Sequence, residues 1–235
     1  MNARPILFDA FCGAGCAARG YHDAGFDVFG VDINEQSNYP YTFHQADALA
    51  VLEDILSGEW PTPAAIHASC PCQHFTKYGN SVKDIQDRYE DFLEPTRVLL
   101  DQIGVPYVIE NVERAPLLDP IRLCGSMFEG NGTHDLRRHR LFETNWPLEN
   151  HLTCDHSIWA PNRYPGGGWK RKKHLGFTPS SPIRNTIEIG RWNIPLETQK
   201  WAMGVDWNVT VRELSEGVPP SYTEFVGKQL LEQIA

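Results

Sequence analysis

A cysteine in the tripeptide Pro71-Cys72-Gln73 is the residue of this chain best suited to covalent chemistry. Buried cysteines are common in cores, but this one follows an apolar run at 64–68, is fixed by a proline and opens a polar stretch. Glu110 ends a later apolar run, where desolvation would raise its pKa toward that of a proton donor. A thiol that attacks a ring carbon while a nearby acid protonates the ring indicates chemistry on a pyrimidine base.

A second group of candidate residues lies at the ends of the first three predicted strands. The glycine-rich turn DAFCGAG at residues 9–15 lets the backbone approach a ligand closely, although such a turn also suits a dinucleotide or simply a tight bend. Asp32 ends the second strand, where a carboxylate can bind the hydroxyls of a ribose. Asp47 follows the third strand, where it can accept a hydrogen bond from an adenine amino group. Three strand ends that face one crevice favour an adenosine-containing ligand.

The spacing of apolar residues predicts the elements that must position these side chains. Short apolar runs alternate with longer amphipathic ones in the first half of the chain, which predicts an α/β fold with a doubly wound, Rossmann-like, mostly parallel sheet. The pattern stops from about residue 145 to 191, where Pro, Gly, Trp and basic residues cluster. Regularity returns in 196–207 and in a final helix over 221–234. Predicted strands cover 6–11, 28–33, 41–45, 64–68, 107–110 and 121–124, and predicted helices cover 17–24, 48–56 and 87–103.

Composition limits the classes of protein to consider. With 235 residues, 41% of them hydrophobic and 22% charged, the chain suits one globular domain with a small inserted lobe. No run of about 18 apolar residues could cross a bilayer, and the first predicted strand begins too early for a signal peptide, so we expect a cytoplasmic protein without a membrane partner. We expect the six cysteines to be reduced. The net charge of −9 argues against non-specific coating of nucleic acid, although positive charge is concentrated at 137–140 and 170–173.

Taken together, the motifs resemble those of the cytosine-5 DNA methyltransferases. DAFCGAG, VDI, QADA, SCPCQHF, IENV, RRHR and ELSEGVPPSYTEFVGKQL stand in the order found in that family, and the likeness covers all but about residues 145–200. It implies the sheet of the S-adenosylmethionine-dependent methyltransferases, with a catalytic and cofactor-binding core at 1–144, a loop-rich target-recognition lobe at 145–200 and a C-terminal segment, 201–235, that returns to the core.

The resemblance also implies the cofactor, S-adenosyl-L-methionine, and the residues that hold it. The closing motif departs from the family at 215–218, where Ser-Glu-Gly-Val replaces the usual Gly-Asn-Ser-Val, so the polar contacts there would differ. The implied cofactor-binding residues are Phe11, Cys12, Gly13, Ala14, Gly15, Asp32, Ile33, Asp47, Ala48, Pro71 and Val218.

Four residues match catalytic positions of the family. Cys72 matches the nucleophile that adds to C6 of a flipped-out cytosine, and Glu110 the acid that engages N3 and the exocyclic amine. The C5 atom then takes the methyl group, a base removes the C5 proton and the thiolate leaves. Arg138 and Arg140 match the arginines of a Gln-x-Arg-x-Arg motif, which bind the base oxygen and brace the site; a solvated basic turn is the alternative. Leu136 replaces the usual glutamine.

The segment 145–200 mixes basic and aromatic residues, as expected of a lobe that contacts double-stranded DNA, although basic clusters are also common on solvated loops. Within it, His151, Cys154 and His156 have a spacing that suggests zinc. Because these are only three ligands, with no second Cys or His pair, we predict no metal. The predicted DNA-binding residues are Gln73, Arg163, Lys170, Arg171, Lys172 and Lys173.

Two alternatives to a monomeric DNA methyltransferase remain. A related transfer RNA methyltransferase shares the core, but this chain has a separate basic insert and lacks the Cys-Phe-Thr tripeptide of that group. A non-catalytic DNA-binding relative would not need Cys72, Glu110 and Arg140. Still open are the DNA site, an analogue of S-adenosylmethionine as donor, and whether the enzyme acts alone or with a cognate restriction endonuclease in a restriction-modification pair.

Overall fold

A seven-stranded sheet forms the centre of the computed structural model, which describes residues 3–76, 88–156, 159–160 and 184–235, the backbone alone at 159–160 and 184–185. The strand order is β3-β2-β1-β4-β5-β7-β6, and a parallel pair, β8-β9, stands apart. The strands are β1 (Ile6–Ala10), β2 (Asp27–Asp32), β3 (Thr42–Gln45), β4 (Ala65–Ala68), β5 (Tyr107–Asn111), β6 (Ile121–Leu123), β7 (Arg140–Thr144), β8 (Trp159–Ala160) and β9 (Arg184–Asn185).

The five strands from β3 to β5 are parallel, and β7 and β6 are added antiparallel at one edge. The chain passes from β1 outward to β2 and β3, then returns to place β4 on the other side of β1. The strand order therefore reverses between β1 and β4. In open parallel sheets, the crevice at the carboxyl ends of two such strands is where ligands bind.

Helices cover both faces of the sheet, and the side chains of β1 show how the core is divided. Leu7 packs into the cluster that contains Tyr21 and Tyr222, whereas Phe8 packs into the cluster that contains Leu52 and Leu100. Successive residues of a strand point to opposite faces, so neighbouring apolar residues of β1 are buried by helices on opposite sides of the sheet. The described helices are α1 (Cys16–Ala24), α2 (Ala48–Ser57), α3 (Leu93–Ile103), α4 (Leu196–Met203), α5 (Val211–Glu216) and α6 (Pro220–Ile234).

The final helix α6 packs directly on α1. A side chain at Gly20 would overlap the carbonyl of Pro220 and the hydroxyl of Thr223, so the two backbones approach as closely as glycine permits. The Thr223 hydroxyl donates to the Ala17 carbonyl at 2.8 Å. The C-terminal residues thereby support the helix that follows the glycine-rich turn.

The predicted fold class is confirmed, and each predicted strand is present to within a residue or two. Strand β7 was not predicted, because its first residue belongs to the basic run 137–140 that also suits a turn. Helix α3 begins at Leu93, whose amide donates to Asp91 Oδ1 at 2.8 Å, rather than at residue 87, which lies outside the described residues. The predicted regularity of 196–207 ends as a helix at Met203, before the left-handed Gly204.

The division at residues 145 and 200 stays a prediction, although 145–156 lies against the core. Trp146 Nε1 donates to the Tyr107 carbonyl at 3.2 Å and the Glu149 amide to Gln229 Oε1 at 3.0 Å. Among the helices the structure describes, none has the length and apolar character that crossing a membrane requires.

Candidate active site

The carboxyl ends of β1, β2, β4 and β5 bring the predicted site residues to one edge of the sheet. The Cys12 amide donates to the Val31 carbonyl at 3.0 Å, and the Ser69 amide to the Ala10 carbonyl at 3.2 Å. These bonds extend the strand pairing past the strand ends. The loops that carry the glycine-rich turn and Cys72 therefore start from a fixed base.

The glycine-rich turn has the backbone of a ligand-binding loop. Phe11, Gly13 and Gly15 have positive φ values of 57°, 49° and 82°; for phenylalanine this conformation is strained, as is common at functional sites. The Gly13 amide donates to Asp32 Oδ2 at 3.1 Å, and the Asn34 amide to Oδ1 at 2.9 Å. A side chain at Gly13 would meet nothing within 4 Å. The turn is thus held beside the Asp32 carboxylate with open space above it.

The remaining predicted cofactor residues surround this turn at different depths. Ile33, at the end of β2, is 65% exposed, an unusual position for an apolar side chain. Asp47 caps α2, with Oδ1 accepting from the Leu49 amide at 2.9 Å. Cys12, Ala14, Ala48 and Val218 are buried and shape the base of the crevice, whereas Phe11 and Pro71 are half-buried.

Asp9 is a carboxylate of the DAFCGAG motif to which the sequence pattern assigned no role. It lies within β1 and is fully buried, and burial raises its pKa to about 8. Its Oδ2 accepts from the Tyr39 hydroxyl at 3.2 Å. Tyr39 lies where a side chain at Gly30 would otherwise be. Asp9 was visible in the sequence as a carboxylate within an apolar strand.

Cys72 is the reactive thiol that the environment favours. It is half-buried and starts a short 3₁₀ turn, Gln73–Phe75. Burial raises the pKa of Cys72, while the positive charge of Arg140 lowers it and Glu110 raises it further, so both charges lie close to the sulfur. Cys70 is buried, and burial raises its pKa to about 12. Of the two thiols in this loop, Cys72 is therefore the more easily ionised and the more accessible.

Glu110 is only 5% exposed at the end of β5. Burial raises its pKa, against the lowering effects of Arg140 and of a hydrogen bond from Ser69. Arg140 Nε lies 2.9 Å from Oε1, close enough for an ion pair but not aligned as a hydrogen bond. Within the described residues, Oε1 therefore accepts no hydrogen bond, although Oε2 does. Oε1 can therefore engage a substrate.

A chain of hydrogen bonds leads from Glu110 into the core. Ser69 Oγ donates to Glu110 Oε2 at 3.0 Å, and His67 Nε2 lies 2.9 Å from Ser69 Oγ. The Tyr21 hydroxyl lies 2.9 Å from His67 Nδ1. Burial lowers the pKa of His67 to about 3, so the ring is neutral. Because Ser69 donates to Glu110, it accepts from Nε2–H, and Nδ1 accepts from Tyr21.

The sequence pattern predicted no role for His67, Ser69 or Asn111. A histidine inside the apolar run 65–68 was the available signal for the hydrogen-bond chain. Asn111 Nδ2 donates to the Cys70 carbonyl at 3.0 Å, which ties the end of β5 to the loop that carries Cys72. This hydrogen bond holds the backbone segments that carry Glu110 and Cys72 next to each other.

The two predicted arginines differ in their partners. Arg140, in β7, pairs with Glu110, whereas Arg138 Nη2 donates to the Ser215 carbonyl at 2.6 Å. Burial and the nearby charge of Arg140 lower the pKa of Arg138. Arg138 nevertheless keeps its positive charge at neutral pH. The Ser215 contact uses a backbone oxygen, so the altered residues of the closing motif do not affect it. Leu136, in place of the family's glutamine, is 1% exposed and packs in a hydrophobic cluster.

Most predicted DNA-binding residues lie outside the described part of the chain. Gln73 is exposed next to Cys72. Outside the described residues are Arg163, Lys170, Arg171, Lys172 and Lys173.

A second cluster of potential ligands lies beside β7. Cys124, His139, Cys154 and His156 have ligand atoms that all lie within 4.8 Å of one another. His151, one of the three candidates considered from the sequence, is instead exposed and lies 4.0 Å from Glu149. Tertiary structure thus adds two candidate ligands, Cys124 and His139, that the sequence spacing did not suggest.

The chain has the fold of solved methyltransferase structures. It is similar to Entamoeba histolytica methyltransferase EhMeth over 100% of both chains, with a TM-score of 0.55 and 13% identity. It is also similar to Dnmt2 methyltransferase of S. pombe over 98% of this chain and 99% of that one, with a TM-score of 0.53 and 14% identity. A candidate DNA modification methyltransferase encoded within an E. coli prophage aligns over 59% of this chain but 45% of its own length, with a TM-score of 0.42 and 20% identity.

No protein-family model matches the chain, and no curated protein matches it. At these identities the structural likeness establishes the fold alone. Any inference about chemistry therefore rests on the residues of the site itself.

Proposed function

We propose that this protein is an S-adenosylmethionine-dependent DNA (cytosine-5)-methyltransferase that uses a covalent bond between Cys72 and the target base. The observation that carries the proposal is the meeting of Cys72, Glu110 and Arg140 at one end of the sheet, next to the glycine-rich turn. The shared fold with EhMeth and Dnmt2 supports methyl transfer, and the ordered motifs support cytosine in DNA.

The crevice fits the proposed cofactor. Asp32 offers carboxylate oxygens to a ribose, Ile33 offers an exposed apolar surface to an adenine, and the turn at Gly13 leaves space for the backbone to approach the ligand. When bound there, S-adenosylmethionine would supply an electrophilic methyl group, whose bond to the sulfonium sulfur would break to leave the thioether S-adenosylhomocysteine. The residues of the chain would supply the nucleophile and manage the protons.

The first step joins Cys72 to the base. After the Cys72 thiol gives its proton to solvent, its sulfur adds to C6 of an extruded cytosine, and Glu110, whose pKa is raised by burial, donates a proton to N3. Arg140 stabilises the thiolate before attack and stays beside Glu110 afterwards. The electrons displaced from the ring make C5 nucleophilic.

The second step restores the aromatic ring. C5 takes the methyl group, a base removes the C5 proton, the bond from sulfur to C6 breaks, and the Cys72 thiolate leaves. The proton on N3 is returned, so the net change is replacement of hydrogen by methyl at C5. Burial around Glu110 keeps water from competing for these proton transfers.

Transfer of tritium-labelled methyl groups to duplex DNA of mixed sequence, and separately to transfer RNA transcripts, tests the proposal. We expect labelled 5-methylcytosine in DNA and none in RNA. Labelled RNA with unlabelled DNA would favour the transfer RNA alternative, and labelled adenine would refute cytosine chemistry. Sequencing the methylated DNA would then identify the recognised site.

Cys72→Ala and Cys70→Ala form a matched pair, because the two thiols lie in the same loop and Cys70 contacts no proposed substrate. We expect Cys72→Ala to lose transfer by at least about 10³-fold while it still binds S-adenosylmethionine. Cys70→Ala should stay active. Duplex DNA with 5-fluorocytosine should form a stable adduct with wild type and Cys70→Ala, because fluorine cannot leave as a cation. An adduct with Cys72→Ala would refute the assignment.

A further inference from the structure

We propose that Cys124, His139, Cys154 and His156 bind a structural Zn²⁺ ion. The four residues come from three separate parts of the described chain. Cys124 directly follows β6, His139 directly precedes β7, and Cys154 and His156 follow β7 in the segment 145–156. Two thiols and two imidazoles are one of the ligand sets that structural zinc sites use.

The distances between ligand atoms match a tetrahedral site. His156 Nε2 lies 3.2 Å from Cys124 Sγ and 3.1 Å from Cys154 Sγ, and His139 Nε2 lies 3.4 Å from Cys154 Sγ. Zinc at its usual bond lengths separates a sulfur and a nitrogen ligand by roughly 3.5 Å. The imidazoles are nearly parallel, with an interplanar angle of 10° and ring centroids 5.1 Å apart. Both Nε2 atoms lie next to the same sulfur, Cys154 Sγ.

Neighbouring polar side chains contact the proposed ligands, as outer-shell residues do in metal sites. Glu113 Oε1 lies 3.2 Å from His139 Nδ1, an arrangement that holds the proton on Nδ1 and leaves Nε2 free to bind. Ser126 Oγ donates toward Cys124 Sγ at 3.3 Å and Cys154 Sγ at 3.6 Å. Carboxylate–histidine–metal chains and hydrogen bonds to thiolates are typical of zinc sites.

Hydrogen bonding without a metal explains the cluster poorly. Cys154 Sγ has His139, His156 and Ser126 as neighbours, yet sulfur is a weak acceptor and gains little from three such contacts. Both cysteines are free thiols. One ion bound to all four atoms accounts for the whole arrangement. Since four protein ligands fill a tetrahedron, the site has no open position for catalysis.

The position of the site indicates what the ion would hold in place. His139 lies between Arg138 and Arg140, the two arginines of the candidate active site. Cys154 and His156 lie in the segment that precedes the basic residues 170–173 in sequence. An ion bound by all four would therefore fix the start of β7, and with it the orientation of both arginines, to the start of the 145–200 segment.

Metal analysis of the untagged wild-type protein, purified from cells grown with added zinc, is the first test. We expect about one Zn²⁺ per chain. Replacement by Co²⁺ should produce the visible absorption of a tetrahedral site together with thiolate-to-metal charge transfer in the near ultraviolet. Wild-type protein that contains no zinc and gives no such cobalt spectrum would overturn the proposal.

Matched variants identify the ligands. The double variant Cys124→Ser and Cys154→Ser should purify with less than about a tenth of the zinc, whereas His151→Ala, a neighbouring exposed histidine, should keep it all. His156→Ala should bind zinc at least about 10-fold more weakly, and His156→Cys, which restores a ligand, should recover most of that affinity. Full zinc content in the double variant would refute these ligands.

Removing zinc from the wild-type protein with a chelator tests its structural role without relying on the folding of any variant. Removing zinc with a strong chelator should lower Tm by several degrees, and adding Zn²⁺ back should restore it. A thiol-blocking reagent should release the zinc as two cysteines are modified. Loss of zinc without a change in Tm would overturn the structural role. None of these readouts depends on methyl transfer, so the zinc site and the proposed function can fail independently.

Discussion

Glu110 and Asp32 are both carboxylates at strand ends, but their surroundings suit them to different tasks. Glu110 is buried, and burial raises its pKa. Asp32 is half-buried and accepts hydrogen bonds from the backbone amides of Gly13 and Asn34. A buried acid can transfer a proton, whereas a carboxylate held by backbone amides offers a fixed acceptor for a ligand.

We therefore expect substitutions of these two carboxylates to affect different kinetic constants. Asp32→Ala should raise KM for S-adenosylmethionine at least about 10-fold with a smaller loss in kcat, because a ground-state contact is removed. Glu110→Gln should lower kcat by about 10²–10⁴-fold, because a proton is transferred only in the transition state. Steady-state kinetics and calorimetry measure both effects. Weaker cofactor binding in Glu110→Gln than in Asp32→Ala would reverse the assignment.

Ser69 is one of the groups that determine the acidity of Glu110. Its hydrogen bond stabilises the carboxylate and so lowers the pKa of Glu110. Ser69→Ala should raise that pKa by about one unit. Since the proposed mechanism uses protonated Glu110, the alkaline limb of the kcat/KM profile should move to higher pH.

The matched control is Ser69→Thr, which keeps the hydroxyl and should restore the wild-type pH profile. A loss of activity in Ser69→Ala that is the same at every pH would instead indicate a purely structural role for this residue.

At the scale of elements, the glycine-rich turn depends on helices from the other end of the chain. Helix α6 packs on α1, and Trp207 Nε1 donates to the Ala14 carbonyl at 3.2 Å. Val218 is buried in the same cluster as Cys12. The closing segment thus acts on the crevice chiefly by packing beneath it.

Gly20→Ala should therefore destabilise the protein although alanine is the better helix former. The added methyl group would overlap the Pro220 carbonyl and the Thr223 hydroxyl, and overpacking of this kind costs about 1–3 kcal/mol. Because the overlap is with a backbone carbonyl, we expect the cost to lie near the upper end of that range, so that the gain in helix propensity, about 1 kcal/mol, offsets only part of it. Urea denaturation measures the difference, and Gly20→Ser should be worse. An increase in stability would mean that α1 and α6 are not in close contact.

At the scale of the whole molecule, the net charge of −9 opposes binding to DNA, which is also negative. Binding must therefore rely on local positive charge, of which the run from Lys170 to Lys173 is the densest in the sequence. The segment 145–200 is short, so we expect it to read a site on the order of four base pairs. We assign the basic run chiefly to phosphates, which carry no sequence information.

Replacing Lys170, Arg171, Lys172 and Lys173 together with alanine should weaken binding to every duplex alike and flatten its salt dependence. The methylated motif should stay the same. Binding measured over a range of salt concentrations, with sequencing of methylated DNA, checks both expectations. A changed motif at full activity would show that these residues read bases, and an unchanged salt slope would show that they do not face DNA.

The sequence by itself determined the order of the elements and the residues at strand ends. Apolar runs predicted the strands, and a doubly wound sheet brings the carboxyl ends of its parallel strands to one edge, so Asp32, Cys72 and Glu110 were expected to meet. Strand β7 was missed because the basic run at its start suits a turn equally well, and its pairing with β5 is a non-local contact.

Only the tertiary structure decided which groups are buried and which distant residues meet. The hydrogen-bond chain from Tyr21 through His67 to Ser69 depends on a helix packing over β4, and the pKa of Asp9 depends on complete burial. The group of Cys124 and His139 with Cys154 and His156 depends on the antiparallel return of β7 beside β6. Local periodicity records which residues are apolar, but burial and long-range proximity arise only when separate elements pack together.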